Sequence, residues 1–408
     1  MSIPETAPSY RELFRHRPYQ RIWVGLAISY AGDTLTRVAL PIYVYQLTGD
    51  ATALGVMFAM QQIPWVFLGP LAGVLADRWN RKRLLVGVVL LEGACVALLP
   101  FASSIGTIYL LGFLAVVAQV VEGPVRTAAI PDVIGPRLFA RAVSVSVVTV
   151  QTLDTAGSAL AGVFVAAFGP VAAFLADTAT FVIHAVLLGT LRIPTPPRTA
   201  TPLNSVWDDF KDGVHFTRNE PALAFLLGLM VIRGATMIGV IPLLPAFVTV
   251  DLRATALELG LISAAASLGY SLSSIAAVRF SRLLTPTRIL LVGSAVSGLL
   301  MVPFWWLRSL PPLLILRFGS ALAYGAGNLV ANVGIVKLSP SEIRGRVDST
   351  SWAIIKLSQV SSSASLGFMA DRLGAAVVIG LGGIALSCIM GAIAIFRPRR
   401  PAHEWTID

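Results

Sequence analysis

Gly69-Pro70-Leu71-Ala72-Gly73-Val74-Leu75-Ala76-Asp77-Arg78-Trp79-Asn80-Arg81-Lys82-Arg83 is the stretch that decides how this chain is read. An apolar helix carries two glycines four apart, Gly69 and Gly73. It stops at a carboxylate, Asp77, and gives way to four bases, Arg78, Arg81, Lys82 and Arg83. Small residues at that spacing let a second helix approach closely. A carboxylate at a helix end can accept hydrogen bonds from the N-terminus of a neighbouring helix, or pair with an arginine such as Arg126. A basic cluster directly after an apolar run holds its loop on the cytoplasmic side of a membrane. A basic loop closing any helical hairpin would carry similar charges. The two long apolar segments that precede this one place it in a membrane-spanning chain instead.

Composition agrees. Of 408 residues, 56% are hydrophobic and only 13% are charged, against about a quarter charged in a soluble domain. Many apolar runs approach the ~20 residues that an α-helix needs to span a bilayer. The net charge of +10 would suggest nucleic acid in a soluble protein; here it reflects Lys and Arg collected in cytoplasmic loops, and no nucleic-acid partner is expected. Cys95 and Cys388 both lie inside apolar runs, so neither a disulfide framework nor a metal site is expected, and no cofactor. The first 20 residues are polar and basic without a cleavable apolar core, so no signal peptide is expected.

Working outward, the sequence predicts twelve spans: 20–46, 53–76, 84–102, 106–130, 139–168, 170–192, 221–249, 256–280, 288–307, 311–336, 348–370 and 374–396. The only long break is 193–220, which opens with Pro194, Pro196, Pro197 and Pro202. Leu203, Val206, Trp207, Phe210, Val214 and Phe216 then recur at near-helical spacing among charges, the pattern of an amphipathic helix on a membrane surface. The chain divides accordingly into a six-helix half, 1–192, a linker, 193–220, and a second half with a basic tail, 221–408. With both termini cytoplasmic, 24 of the 31 Lys and Arg fall on the cytoplasmic side. Three (Arg253, Arg308, Arg372) fall outside and four (Arg37, Arg233, Arg317, Lys356) inside spans. One missed span would invert every later loop and destroy that bias.

The halves are weakly alike. Leu71-Ala-Gly-Val-Leu-Ala-Asp77-Arg78 lies against Ile275-Ala-Ala-Val-Arg-Phe-Ser281-Arg282, and Pro131 to Arg137 parallels Pro340 to Arg346. The glycine–aspartate–basic pattern of Gly69 to Arg83 resembles the signature between the second and third helices of major facilitator superfamily transporters. Phe14 to Trp23, Gly32-Asp33 followed by Ala39-Leu40-Pro41, Glu122 to Pro131 and Arg344-Gly-Arg346-Val resemble, more narrowly, the bacterial exporters that include macrolide-efflux and enterobactin-export proteins. The resemblance implies an all-α membrane protein of twelve transmembrane helices in two pseudo-symmetric six-helix bundles, with substrate bound between them. One departure weakens the antiporter implication. Where drug antiporters carry Gly-Pro-x-x-Gly-Gly, this chain reads Gly157-Ser158-Ala159-Leu160-Ala161-Gly162, without the proline.

A charge in the bilayer needs a partner or a wet cavity. In the fold so implied, spans one, four, seven and ten line the cavity. Asp33 and Arg37 lie one turn apart in span one and are expected to pair; so are Glu122 and Arg126 in span four. Asp154 has no base within a turn and is either a proton carrier or paired across the seam, for instance with Lys356. The proton-coupling candidates are thus Asp33, Glu122 and Asp154. The cavity candidates are Ser29, Arg37, Gln119, Arg233, Tyr324 and Asn328. The gating candidates are Gly69, Gly73, Asp77, Arg78, Arg81 and Arg126. Glu92, Asp177 and His184 fall on helices expected at the periphery and read as structural.

There is no His-Glu-x-x-His, Gly-x-Ser-x-Gly or nucleotide-binding loop, and His16, His184, His215 and His403 are scattered, so an enzyme or a primary pump is not expected. The expectation is a monomeric secondary transporter in a bacterial inner membrane. It would exchange protons for a hydrophobic or amphiphilic small molecule, drug-, macrolide- or siderophore-like, with lipid around it. Uptake of a polar solute by the same fold, or a transport-dead sensor, are the alternatives.

Overall fold

The computed structural model of the protein describes residues 9–194, 203–281, 283–341 and 343–396; within its helices, the side chains at 70, 73, 74, 76–78, 203–207 and 209 lie outside the description. The expected roles of Gly73, Asp77 and Arg78 therefore fall outside the described residues.

No strand occurs among the described residues. After a short helical turn at Tyr10–Leu13, the N-terminal helices are α1 (Arg17–Thr48), α2 (Ala51–Arg78), α3 (Arg81–Leu98), α4 (Ile105–Ile134), α5 (Pro136–Thr152) and α6 (Ser158–Gly189). The linker holds α7 (Leu203–Asn219). The C-terminal helices are α8 (Pro221–Arg233), α9 (Ala256–Phe280), α10 (Pro286–Met301), α11 (Leu310–Leu338), α12 (Arg344–Leu373) and α13 (Ala375–Phe396). Side-chain caps mark several starts: Asp50 accepts from the Thr52 N–H, Asn80 from Arg83, and Ser104 from Thr107. Thr255 and Glu258 form a capping box on α9.

Three local departures matter. A π turn, Leu153–Gly157, joins α5 to α6, and α6 itself breaks at Gly169 (φ 80°), a backbone angle that glycine adopts freely, followed by Pro170. The expected seventh span is no uniform helix. It leaves α8 through a π turn at Gly234–Ile238, passes short helical turns around Pro242 and Pro245, and ends in a second π turn at Phe247–Asp251. Prolines remove backbone donors there, and irregular backbone at membrane depth is tolerated where it is covered by protein or lines a cavity.

Nine stretches among the described residues are long and apolar enough to cross a membrane. Pro136–Gly189 counts as one of them although Gly169 divides it, and α1 and α12 are not included. Both are polar for a physical reason. α12 carries Ser349, Ser351, Ser358, Ser361, Ser362, Ser363 and Ser365 and runs along α2, while α1 runs along α6, so neither must present an apolar girdle all round.

The N- and C-terminal bundles meet chiefly where α2 lies against α12 and α6 against α9. Both contacts are backbone-close. A Cβ built on Gly55 would sit 2.3 Å from the Ser363 carbonyl oxygen, and one on Gly162 would sit 2.8 Å from the Gly260 Cα. At the same end, the Asp371 carboxylate at the close of α12 accepts from the Ala51 N–H (2.7 Å), the Thr52 N–H (2.8 Å) and the Thr52 hydroxyl. The C-terminal bundle thereby caps the N-terminus of α2. Gly69, expected to admit a close helix, faces open space: a Cβ there would meet nothing within 4 Å. The intimate α2–α12 glycine contact is at Gly55 and Gly367 instead, near the other end of the helix. The linker helix does not lie free. Gly213 packs against the Arg346 carbonyl and Thr350, and Asp212 pairs with Arg346 at 2.8 Å, so α7 is docked on the start of α12.

Candidate functional site

Between the bundles lie three neighbouring pockets, lobes of a central cavity that share wall residues. The largest, about 490 Å³, is walled by α1 to α4 and α6, with Ile241, Pro242 and Pro245 closing its far side. A second lobe of about 270 Å³ meets it at Phe58, and a third of about 250 Å³ meets it at Ile241. Tyr270 and Tyr324 line both smaller lobes.

The large lobe gathers three carboxyls: Asp33 from α1, Glu92 from α3 and Asp177 from α6. Asp177 is completely buried; its carboxylate accepts from Thr36 at 2.5 Å and from Thr180 at 3.2 Å. Gly32 makes this possible, since a Cβ at that position would fall 2.3 Å from the carboxylate oxygen. Glu92 is 6% exposed. The peripheral placement expected of Glu92 and Asp177 is therefore corrected: both line the wall that holds Asp33. Helix number alone misplaced them. The available signal was each acid's isolation within an apolar run, which is costly unless the side chain finds a polar partner or water. His184 is buried against Gly25, with neither ring nitrogen hydrogen-bonded to a described group.

The expected Asp33–Arg37 ion pair is replaced by another. Arg37 donates to Asp154 at 2.5 Å, and the Tyr30 hydroxyl donates to the same carboxylate at 3.0 Å. Arg37 also stacks over the Tyr30 ring. Asp154 thus has its base on α1, not at Lys356; the π turn carrying it sits against α1. Lys356 instead donates to Gln62 at 2.7 Å and lies 5.9 Å from the Trp65 ring. The Glu122–Arg126 pair forms as expected, at 2.8 Å. Glu122 is not among the residues on the cavity wall, so of the three proton-coupling candidates Asp33 and Asp154 line the cavity and Glu122 does not.

Of the cavity candidates, Arg37 and Gln119 line the large lobe, Arg233, Tyr324 and Asn328 line the second, and Ser29 is buried in helix packing away from the wall. Asn328 donates to the Tyr270 hydroxyl at 2.8 Å. Arg233 follows from its position at the end of α8, where the π turn begins. Its Nη2 donates to the Tyr324 carbonyl at 2.6 Å, and its guanidinium lies 4.2 Å from that ring. π turns recur at functional sites, and here one carries Asp154 and another follows Arg233. Of the gating candidates, Arg81 pairs with Asp132 and donates to the Ala128 carbonyl at 3.1 Å, tying α3 to α4.

Two helix bundles meeting over a largely apolar cavity studded with charged side chains, in a chain of apolar helices, define a membrane transporter. The chain matches the model of the transmembrane secretion effector family over residues 8–406, and it belongs to that family of the major facilitator superfamily. It is similar to the enterobactin exporter EntS of Salmonella paratyphi A, at 24% identity over 99% of this chain and 97% of the relative. The corresponding protein of Citrobacter koseri is 25% identical, over 99% and 97%. Among solved structures, the nucleoside transporter NupG shares the fold at a TM-score of 0.75, 13% identity, 94% of this chain and 100% of that one. A bacterial homologue of the iron transporter ferroportin, in an inward-facing state, does so at 0.71 and 16%, over 93% and 98%.

Proposed function

We propose that this protein is a proton-coupled exporter of an amphiphilic small molecule, with twelve spans and both termini in the cytoplasm of a bacterial cell. One observation carries the reading: Asp33, Glu92 and Asp177 share one cavity wall. A carboxyl there is desolvated when the cavity closes over it and hydrated when it opens, so its proton affinity alternates between the two states. Asp33 is the preferred carrier because Asp154 is held by Arg37 and Tyr30, and Glu122 by Arg126. Export, rather than uptake, is supported by the names of the relatives, and macrolide- and siderophore-like molecules are the classes to screen first. The orientation rests on the bias of Lys and Arg toward the Arg81 end; the Asp371 end is then external, and the arrangement described is one closed to the outside. A reporter fused after Arg198 should read cytoplasmic, and an external signal there would overturn the topology.

The coupling test is Asp33→Asn in vesicles with an imposed pH gradient. Gradient-driven transport should fall to background while substrate exchange without a gradient persists. Full pH-driven transport by the variant would remove Asp33 as the carrier and pass the role to Glu92 or Asp177.

A further inference from the structure

The two walls of the cavity carry opposite chemistry. The carboxyls belong to the N-terminal bundle, whereas the two smaller lobes are lined by three cations of the C-terminal bundle: Arg233, Arg317 and Lys356. None of the three has an ion-pair partner within the described residues. Arg233 is 1% exposed, and its Nε and Nη1 have no hydrogen-bond acceptor. Arg317 is 7% exposed, and its Nε likewise has none. Lys356 has the neutral Gln62. Asp154 lines the same lobe as Arg317 but is occupied by Arg37 and Tyr30. Unpaired cations at membrane depth are costly, and uncompensated buried charge is among the most destabilising arrangements a fold can carry.

We propose that Arg233 and Lys356, which line one lobe, together with Arg317, which lines the adjoining one, form an anion-binding subsite, and that the molecule this cavity takes is an organic anion carrying an aromatic portion. A carboxylate, acidic phenolate or phosphate supplies the acceptors the guanidinium groups lack. Phe58, Tyr270, Tyr324 and Trp352 face the same lobes and offer ring surfaces to the remainder of the molecule. Tyr324 already stacks on Arg233, which fixes that guanidinium in place. The carboxyls of the opposite wall, Asp33, Glu92 and Asp177, reach the cavity from α1, α3 and α6, so proton and anion occupy separate walls. The inference rests on the cavity being the transport route, and it adds the sign of the substrate's charge.

The test uses two dyes with one ring system and opposite charge, fluorescein and rhodamine 123. Binding to the full chain in phosphatidylcholine nanodiscs at pH 7.5 is followed by fluorescence polarisation. Fluorescein should bind and rhodamine 123 should bind at least about tenfold more weakly, the factor expected from one charge-assisted hydrogen bond. Arg317→Gln and Lys356→Gln should each weaken fluorescein about tenfold, and Arg317→Lys and Lys356→Arg should restore most of it. Lys356 is only half-buried, so its variant reports even where loss of Arg317 prevents folding. Equal binding of both dyes, binding of neither, or fluorescein binding indifferent to both Gln variants overturns the proposal. Displacement of fluorescein by phosphatidylglycerol would assign the site to a lipid phosphate and overturn it as well. Charge-selective binding without pH-driven transport would instead sink the coupling reading and leave this one standing.

Discussion

Gly55→Ala is expected to reduce transport roughly tenfold or more while leaving the protein inserted and monodisperse. The added methyl would lie 2.3 Å from the Ser363 carbonyl oxygen and 3.2 Å from the Gly367 Cα, both backbone atoms that cannot rotate away. Relief requires α2 and α12 to separate, and overpacking of this kind costs about 1–3 kcal/mol. That cost falls only on the state in which the Asp371 end is closed, so it shifts the conformational equilibrium rather than unfolding either bundle. Gly87→Ala is the control, because a Cβ there meets nothing within 4 Å. Spin labels on the exposed Leu47 and Leu373 read the separation; unchanged distances and normal transport in Gly55→Ala would refute the closure. The same end should respond to pH. The Asp371 carboxylate hydrogen-bonded beside it holds the Asp50 carboxyl above its ordinary value. A raised value in the closed state means this contribution to closure is complete below the ordinary carboxylate range and is lost as pH rises through the raised one. Asp50→Asn should abolish that dependence without abolishing closure, because Asp371 still caps α2.

The second large effect belongs to Arg37 and Asp154. Asp154→Asn leaves a guanidinium facing the cavity without its anion, and Arg37→Gln leaves the carboxylate with Tyr30 alone. Each single variant should lower thermal stability and transport, and the double variant should be less destabilised than the two singles summed. The side chains are 48% and 25% exposed, toward the cavity. The coupling energy is therefore expected near 1 kcal/mol, as for partly solvated pairs, rather than the ~3–5 kcal/mol lost on breaking a fully buried pair. Strictly additive melting shifts would show that the two charges do not act together.

Much of the architecture was legible because membrane insertion writes itself into sequence. Apolar runs report spans, and basic loops report sides. α1 and α12 are more polar than the other spans, because the helices packed along them relax the need for apolarity, yet the sequence still reads both as spans, 20–46 and 348–370. Asp33, named as a proton-coupling candidate, and Arg37 and Gln119, named as cavity candidates, all line the large lobe. Ser29 does not, because a small side chain on a cavity helix can turn into the packing as readily as into the cavity.

Partnerships were a different matter. Arg37 prefers an acid 117 positions away to the one a single turn back. Asp177 reaches the cavity because Gly32 leaves room for it, and Gly69 does not meet a neighbouring helix while Gly55 does. The sequence by itself determined an all-helical membrane chain, a basic side, and which spans hold charges. Those features follow from the free energy of each segment in lipid, a local quantity. Which charges pair, which acids share a wall and which glycines touch was decided only by tertiary structure. They depend on how helices are rotated, kinked at π turns and packed together, and no single segment carries that information.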